Sequence, residues 1–182
     1  MTPRRLLTIA AGTLAADQLT KAWIVSHPEW RIEPLVIIPG IFELVSWKNP
    51  GALFSLFADA EGLLPRLLLT ALPACAILLL LVLILSREED GALARVGYAL
   101  VLGGAAGNLA DRIFRGGGVI DFLHFGIEHP PVRDWLDGIF QSHWWPAFNV
   151  ADSAICVGAA TIAADLIFAQ RRAREPHASD SL

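Results

Sequence analysis

Two aspartates, Asp121 and Asp152, have the type and setting to hydrolyse a bond in this 182-residue chain. Asp121 lies in Val119-Ile120-Asp121-Phe122 and Asp152 in Phe148-Asn149-Val150-Ala151-Asp152, each beside apolar residues. Two carboxyls forced close together cannot both ionise, so they share a proton and titrate as a pair. One carboxylate then activates a water while the protonated partner polarises a carbonyl, with no Ser, Cys or His nucleophile required. Asn149, three residues before Asp152, can hydrogen-bond and orient that carboxylate. Ser153 follows Asp152 directly, projects to another helix face and is a poor nucleophile. Alone, Asp121 could equally cap a turn. Only the pairing makes it an acid/base group.

Other polar residues sit where apolar ones would be expected. Asp17 and Lys21 are four apart, share a helix face and neutralise each other, which a buried structural ion pair would explain. Asn108 lies three before Asp111 and four before Arg112, so one face can present an amide beside a charge pair. Gly103, Gly104 and Gly107 with Ala105 and Ala106 make that helix slim enough for close approach by a neighbour. Asp165 needs no more than a helix contact or snorkelling. A metal reading would use Asp121, Asp152, His124 and His143, but the histidines lack ligand spacing, so no metal and no cofactor is expected.

These residues must be positioned by membrane helices. Hydrophobic residues make up 54% of the chain and charged ones 18%, against about 25% charged in soluble domains. A spanning helix needs about 20 apolar residues. Four such segments are predicted, near 5–25, 64–86, 94–113 and 148–170, within a single domain over 1–182 that ends in a disordered tail near 174–182. Arg4, Arg5 and the apolar run to Ala16 could also be a secretory leader, which would leave Asp17 and Lys21 unexplained. Cys75 and Cys156 lie in apolar runs without a thiol or histidine at ligand spacing and are expected to be small core residues.

With both termini cytoplasmic, Arg4, Arg5, Arg87, Arg95, Arg171, Arg172 and Arg174 fall in short inner segments. Arg31, Lys48, Arg66, Arg112, Arg115 and Arg133 are spread over long outer ones, so the density of basic residues favours this orientation. Asp17 and Lys21, Asn108 to Arg112, and Asn149 and Asp152 then reach one level near the outer face. Ionisable groups inside a bilayer are costly and mark function. A transporter would distribute them through the depth of the membrane. In the outer segment from 26 to 62, Val36-Ile37-Ile38 and Phe42-Glu43-Leu44-Val45 read as short strands punctuated by Pro39-Gly40 and Asn49-Pro50-Gly51. Trp30, Trp47, Trp135, Trp144 and Trp145 fall in the outer connections, as interfacial anchors do. The net charge of −4 argues against a nucleic-acid partner.

Four blocks, in order on four spans, resemble the type II (lipoprotein) signal peptidase family. They are Asp17-Gln18-Leu19-Thr20-Lys21, then Asn49-Pro50-Gly51-Ala52-Leu53-Phe54-Ser55, then Gly103 to Arg112 with Val119-Ile120-Asp121-Phe122, and finally Phe148 to Ile155. The resemblance implies a four-helix integral membrane protein, mainly α, with a small periplasmic β-sheet cradle and a periplasmic loop or helix closing over the substrate. It implies an intramembrane aspartic endopeptidase of the bacterial inner membrane, with Asp121 and Asp152 as catalytic dyad and its active site near the periplasmic face. Asn49 and Arg112 would contact substrate and Asn149 would support Asp152, while Asp17, Lys21, Gly104, Asn108 and Asp111 would form a structural polar cluster. The substrates would be diacylglyceryl-prolipoproteins embedded in membrane lipid, cut on the amino side of the lipidated cysteine, and globomycin-type peptides would inhibit.

The chain departs from the family pattern twice. The stretch from Arg112 to Asp121 is about one residue longer, with Gly116-Gly117-Gly118 in it. The stretch from Asp121 to Asp152 is longer too, carrying His129-Pro130-Pro131 through His143-Trp144-Trp145.

Overall fold

A computed structural model describes residues 1–51, 63–86 and 90–174. The Ala52 to Ser55 part of the second block and the predicted tail from 175 onward lie outside the described residues. Four long helices, α1 (Pro3–Val25), α2 (Leu63–Ser86), α3 (Ala92–Phe114) and α5 (Val150–Arg174), stand where the four apolar segments were predicted. Three of them, α2, α3 and α5, are long and apolar enough to cross a membrane. Helix α1 is equally long but carries Asp17 and Lys21, which are fully buried.

Helix α3 is the centre of the bundle and packs on α1, α2 and α5. Its small residues make this possible. A Cβ added to Gly103 would come within 2.5 Å of the Ala10 carbonyl of α1, and one on Gly104 within 2.5 Å of the Ala151 carbonyl of α5. Backbones this close leave no room for a methyl group. Leu6 and Ala10 of α1, Leu80 and Ile84 of α2, and Ala99 and Leu102 of α3 form the core at one end of the bundle. Asp165 lies against Gly91, at the start of α3, where a carboxylate complements the positive helix end.

At the other end sits an antiparallel sheet in the order β1 (Leu35–Ile38), β2 (Phe42–Asn49), β3 (Val119–Phe125). The first two strands match the predicted pair. β3, which carries Asp121, was not recognised as a strand because Val119, Ile120, Asp121 and Phe122 are buried in succession. Burial on both faces removes the alternation that marks a half-exposed strand. Gly116 and Gly117 turn the chain from α3 into β3 at φ +73° and +87°, a region that costs glycine little. The long stretch after β3 holds a short amphipathic helix, α4 (Pro130–Phe140), with no buried residue. Cys75 and Cys156 are exposed rather than in the core. The core reading assumed water outside, whereas apolar side chains of this bundle also point outward.

Candidate active site

Asp121 is delivered by the sheet. Asn49, the last residue of β2, pairs with Val119 of β3, so its amide lies diagonally across from Asp121 and donates from Nδ2 to Asp121 Oδ2 at 3.0 Å. Asp152 is delivered by the first turn of α5. The segment before that helix is pinned to β3: Phe122 and Leu123 N–H donate to the Phe148 carbonyl, and Phe148 N–H donates to the Leu123 carbonyl.

Asn149 joins the two aspartates. Its Oδ1 accepts the Asp152 N–H at 2.9 Å, while its own N–H donates to Asp152 Oδ2 at 3.3 Å. This reciprocal pair is a capping box at the start of α5. The same side chain donates from Nδ2 to Asp121 Oδ1 at 2.7 Å and to the Ile120 carbonyl at 3.3 Å. The remaining Asp152 oxygen, Oδ1, accepts from Asn108 Nδ2 at 2.8 Å. Among the described residues, the hydrogen bonds that hold both carboxyls thus come from amides.

Both carboxyls line one cavity of about 590 Å³. Asn49, Asn108 and Arg112 complete its polar wall, and Leu68, Leu72, Pro73 and Ala76 of α2 with Val101, Ala105, Ile155 and Cys156 form an apolar one. Arg112 donates from Nη2 to the Gly51 carbonyl at 3.0 Å, and it feels the charges of Asp152, Asp121 and Asp111. Its Nε is buried and has no partner among the described residues. Burial pushes the Asp121 carboxyl up to about 6, and the charge of Asp152 adds to the rise while the amides of Asn49 and Asn149 oppose it. A carboxyl raised this far carries a proton far more often than an exposed aspartate does.

Behind these two aspartates lies a second cluster, in which Asp17, Lys21 and Asp111 are fully buried. Lys21 Nζ reaches Asp17 Oδ2, Asp111 Oδ2 and Asn108 Oδ1, each at 2.9 Å. Asp111 was expected to pair with its neighbour Arg112. Instead it pairs with Lys21 and with Arg115, because residues four apart share a helix face and adjacent ones do not. Gln18, which had not been singled out, donates from Nε2 to Asp17 Oδ2, Asp111 Oδ1 and the Gly107 carbonyl, and accepts from Arg115. The signal for Arg115 was its spacing from Asp111, but nothing in the sequence marked Gln18 beyond its place in the first block.

The other candidates lie apart from this arrangement. Ser153 Oγ donates to the Asn149 carbonyl. His124 pairs with Glu43 at 2.7 Å and stacks on Trp144, and His143 pairs with Asp137. Among the described residues no His, Cys, Asp and Glu group is arranged to hold a metal ion.

This fold is shared by solved bacterial membrane enzymes. Two solved bacterial membrane enzymes, both determined by the in meso method, superpose with TM-scores of 0.76 and 0.70 at 22% and 23% identity. The first covers 94% of this chain and 92% of its own, the second 90% and 92%. The model of the signal peptidase (SPase) II family matches residues 9–168. A lipoprotein signal peptidase of Syntrophotalea carbinolica is 43% identical over 85% of this chain and 86% of its own length. One of Geobacter sulfurreducens is 37% identical over 90% and 92%. The chain belongs to the signal peptidase II family, and it is therefore a membrane peptidase.

Proposed function

We propose that this protein removes signal peptides from diacylglyceryl-modified prolipoproteins as an aspartic endopeptidase, with Asp121 and Asp152 as its dyad. The observation that carries the reading is Asn149, one side chain bonded to both carboxyls at the wall of a single cavity. Relatives sharing most of the chain are lipoprotein signal peptidases, which supports the substrate class.

The chemistry follows from the dyad. Protonated Asp121 donates a hydrogen bond to the scissile carbonyl oxygen, while ionised Asp152 takes a proton from water as its oxygen attacks the carbonyl carbon. The tetrahedral intermediate collapses when the C–N bond breaks and the leaving nitrogen takes that proton. Asn49, Arg112 and Asn149 hold substrate and carboxyls in register. The apolar wall formed by α2 and α5 accommodates lipid and signal-peptide side chains, and the polar wall receives the peptide bond.

The whole chain acts as one domain with four spans. Helix α1 joins the three more apolar helices, its charges neutralised against α3. Both termini are then cytoplasmic, and the sheet and α4 lie at the periplasmic face of the inner membrane, with globomycin-type peptides competing for the cavity. The test is cleavage of a diacylglyceryl prolipoprotein in detergent by wild type, Asp121→Asn and Asp152→Asn. The wild type is expected to cut on the amino side of the lipidated cysteine, in a globomycin-sensitive manner, and both variants to be inactive. Wild-type turnover by either variant rejects the dyad.

A further inference from the structure

We propose that Lys21 is a positioning residue for both halves of the dyad: it ties together the two carboxylates that anchor the backbone beside Asp121 and Asp152, and it orients the amide facing Asp152. The inference rests on the aspartic reading above.

An i, i+4 ion pair with Asp17 would suffice for a purely structural lysine, but the observed bonds go further. An ammonium has three N–H donors and no acceptor. Those of Lys21 reach three acceptors, one on its own helix and two on α3, and the side chain is fully buried. Asp17 uses its other oxygen, Oδ1, to accept the Ala151 N–H at 3.0 Å. Asp111 Oδ2 accepts the Ile120 N–H at 3.1 Å. Ala151 immediately precedes Asp152, and Ile120 immediately precedes Asp121. The two aspartates of the dyad are therefore each held, one residue away, by a carboxylate bound to the same cation.

The third contact of Lys21 sets a direction. Because the ammonium can only donate, Asn108 must turn its oxygen toward Lys21, which leaves its Nδ2–H to face Asp152 Oδ1. Lys21 and Asp152 thus fix the amide from its two ends, and without Lys21 only the Asp152 contact remains to hold it. The charges of Asp17, Asp111, Lys21 and Arg115 cancel, so the cluster fixes geometry without adding a net charge behind the dyad.

The test compares Lys21→Met, Asn108→Ala and Asn108→Asp with wild type and Asp121→Asn. Each full-length protein is purified in detergent, its folded fraction is measured by thermal unfolding, and it is assayed on a peptide carrying a diacylglyceryl cysteine. Asn108→Ala leaves the four charges of the cluster in place, so it decides the question if Lys21→Met does not fold. Asn108→Asp keeps the side-chain shape and reverses what faces Asp152, providing a second folded comparison.

Per folded molecule, kcat should fall roughly a hundredfold in the Asn108 variants, the loss expected from a small misplacement of reacting groups. KM should change far less than kcat, because Asn49 and Arg112, the substrate contacts of the proposed reading, are untouched. The acid limb of the kcat profile should move to higher pH, since Asp152 loses a donor that favours its ionised form. A purely structural role would lower the folded fraction and leave both readouts of the remaining enzyme unchanged. Wild-type kcat with an unmoved pH profile in the folded variants overturns the proposal. Should wild type fail to cleave, or Asp121→Asn cleave normally, the aspartic reading itself falls and this inference falls with it.

Discussion

Asp17 and Asp111 on one side, and Asp121 and Asp152 on the other, are the same side chains in adjoining parts of one network, put to different uses. The first pair is fully buried, with the Lys21 ammonium between its members and Arg115 beyond. The second pair faces a cavity, and among the described residues its side-chain hydrogen bonds come from the amides of Asn49, Asn108 and Asn149. In the first pair each carboxylate is bonded to the ammonium and accepts a backbone N–H from a neighbouring segment. In the second pair, burial and the charge of Asp152 lift Asp121 to about 6, where it can take up a proton near neutral pH. On the proposed reading, the difference is how four aspartates in adjoining networks can leave acid/base work to only two of them.

Converting either member of the second pair to asparagine should have the largest effect on rate, since an amide can neither hold nor release the proton. Asp121→Asn and Asp152→Asn should each lower kcat by at least about a thousandfold, within the range that general acid–base groups supply. The fold should be retained, checked by gel filtration and thermal unfolding. The first pair should respond in the opposite sense. Lys21→Met leaves the buried Asp17 without its cation and Asp111 with Arg115 alone, and should cost about 3–5 kcal/mol of stability, read from denaturation in detergent. A variant as stable as wild type would erase the distinction between the pairs.

Gly104→Ala tests how closely α5 must approach. Its new methyl would meet the Ala151 carbonyl and the Ile155 side chain, so about 1–3 kcal/mol of overpacking is expected, with a drop in kcat because Asp152 shifts with its helix. Arg112→Ala leaves both pairs intact and should mainly raise KM, by roughly tenfold for a lost charge-assisted contact. Unchanged KM would remove Arg112 from the substrate site.

The smallest expected effect is a displacement in pH. Asp121 is raised to about 6, so its protonated form declines as pH rises past that value, and the alkaline limb of kcat/KM should fall there. The folded state binds this proton more tightly than the unfolded chain. The stability it adds is therefore present below the usual aspartate range and is lost as pH climbs through about 6. Asn49→Ala removes a bond that favours the charged form, so it should carry the alkaline limb to higher pH. A profile flat across that region would mean that Asp121 does not supply the acid.

Much of this was legible before any coordinates. The helices α2 and α3 follow from long apolar runs, α1 and α5 from runs that Asp17 and Lys21, and Asp152 and Asp165, interrupt, and β1 and β2 from β-branched runs between turn residues. The strand β3 was not legible, because burial on both faces erases its periodicity. The burial of Asp17 and Lys21 could be anticipated from their spacing, but not their partners. Gln18 entered the network only through α1 lying against α3, a contact between residues about ninety positions apart, whereas Arg115 pairs with Asp111 four residues before it. The exposure of Cys75 and Cys156 was misjudged because an apolar run predicts burial only when the surroundings are water.

By itself the sequence determined which residue types exist, the lengths of the helices and, through its four ordered blocks, the family. Those properties are local, set by composition and by the 3.6-residue period of a helix. Only the tertiary structure decided which aspartates share a cation and which share a cavity. That choice depends on distances between segments far apart in the chain, set by the glycine face of α3 and the pairing of β3 with the residues before α5.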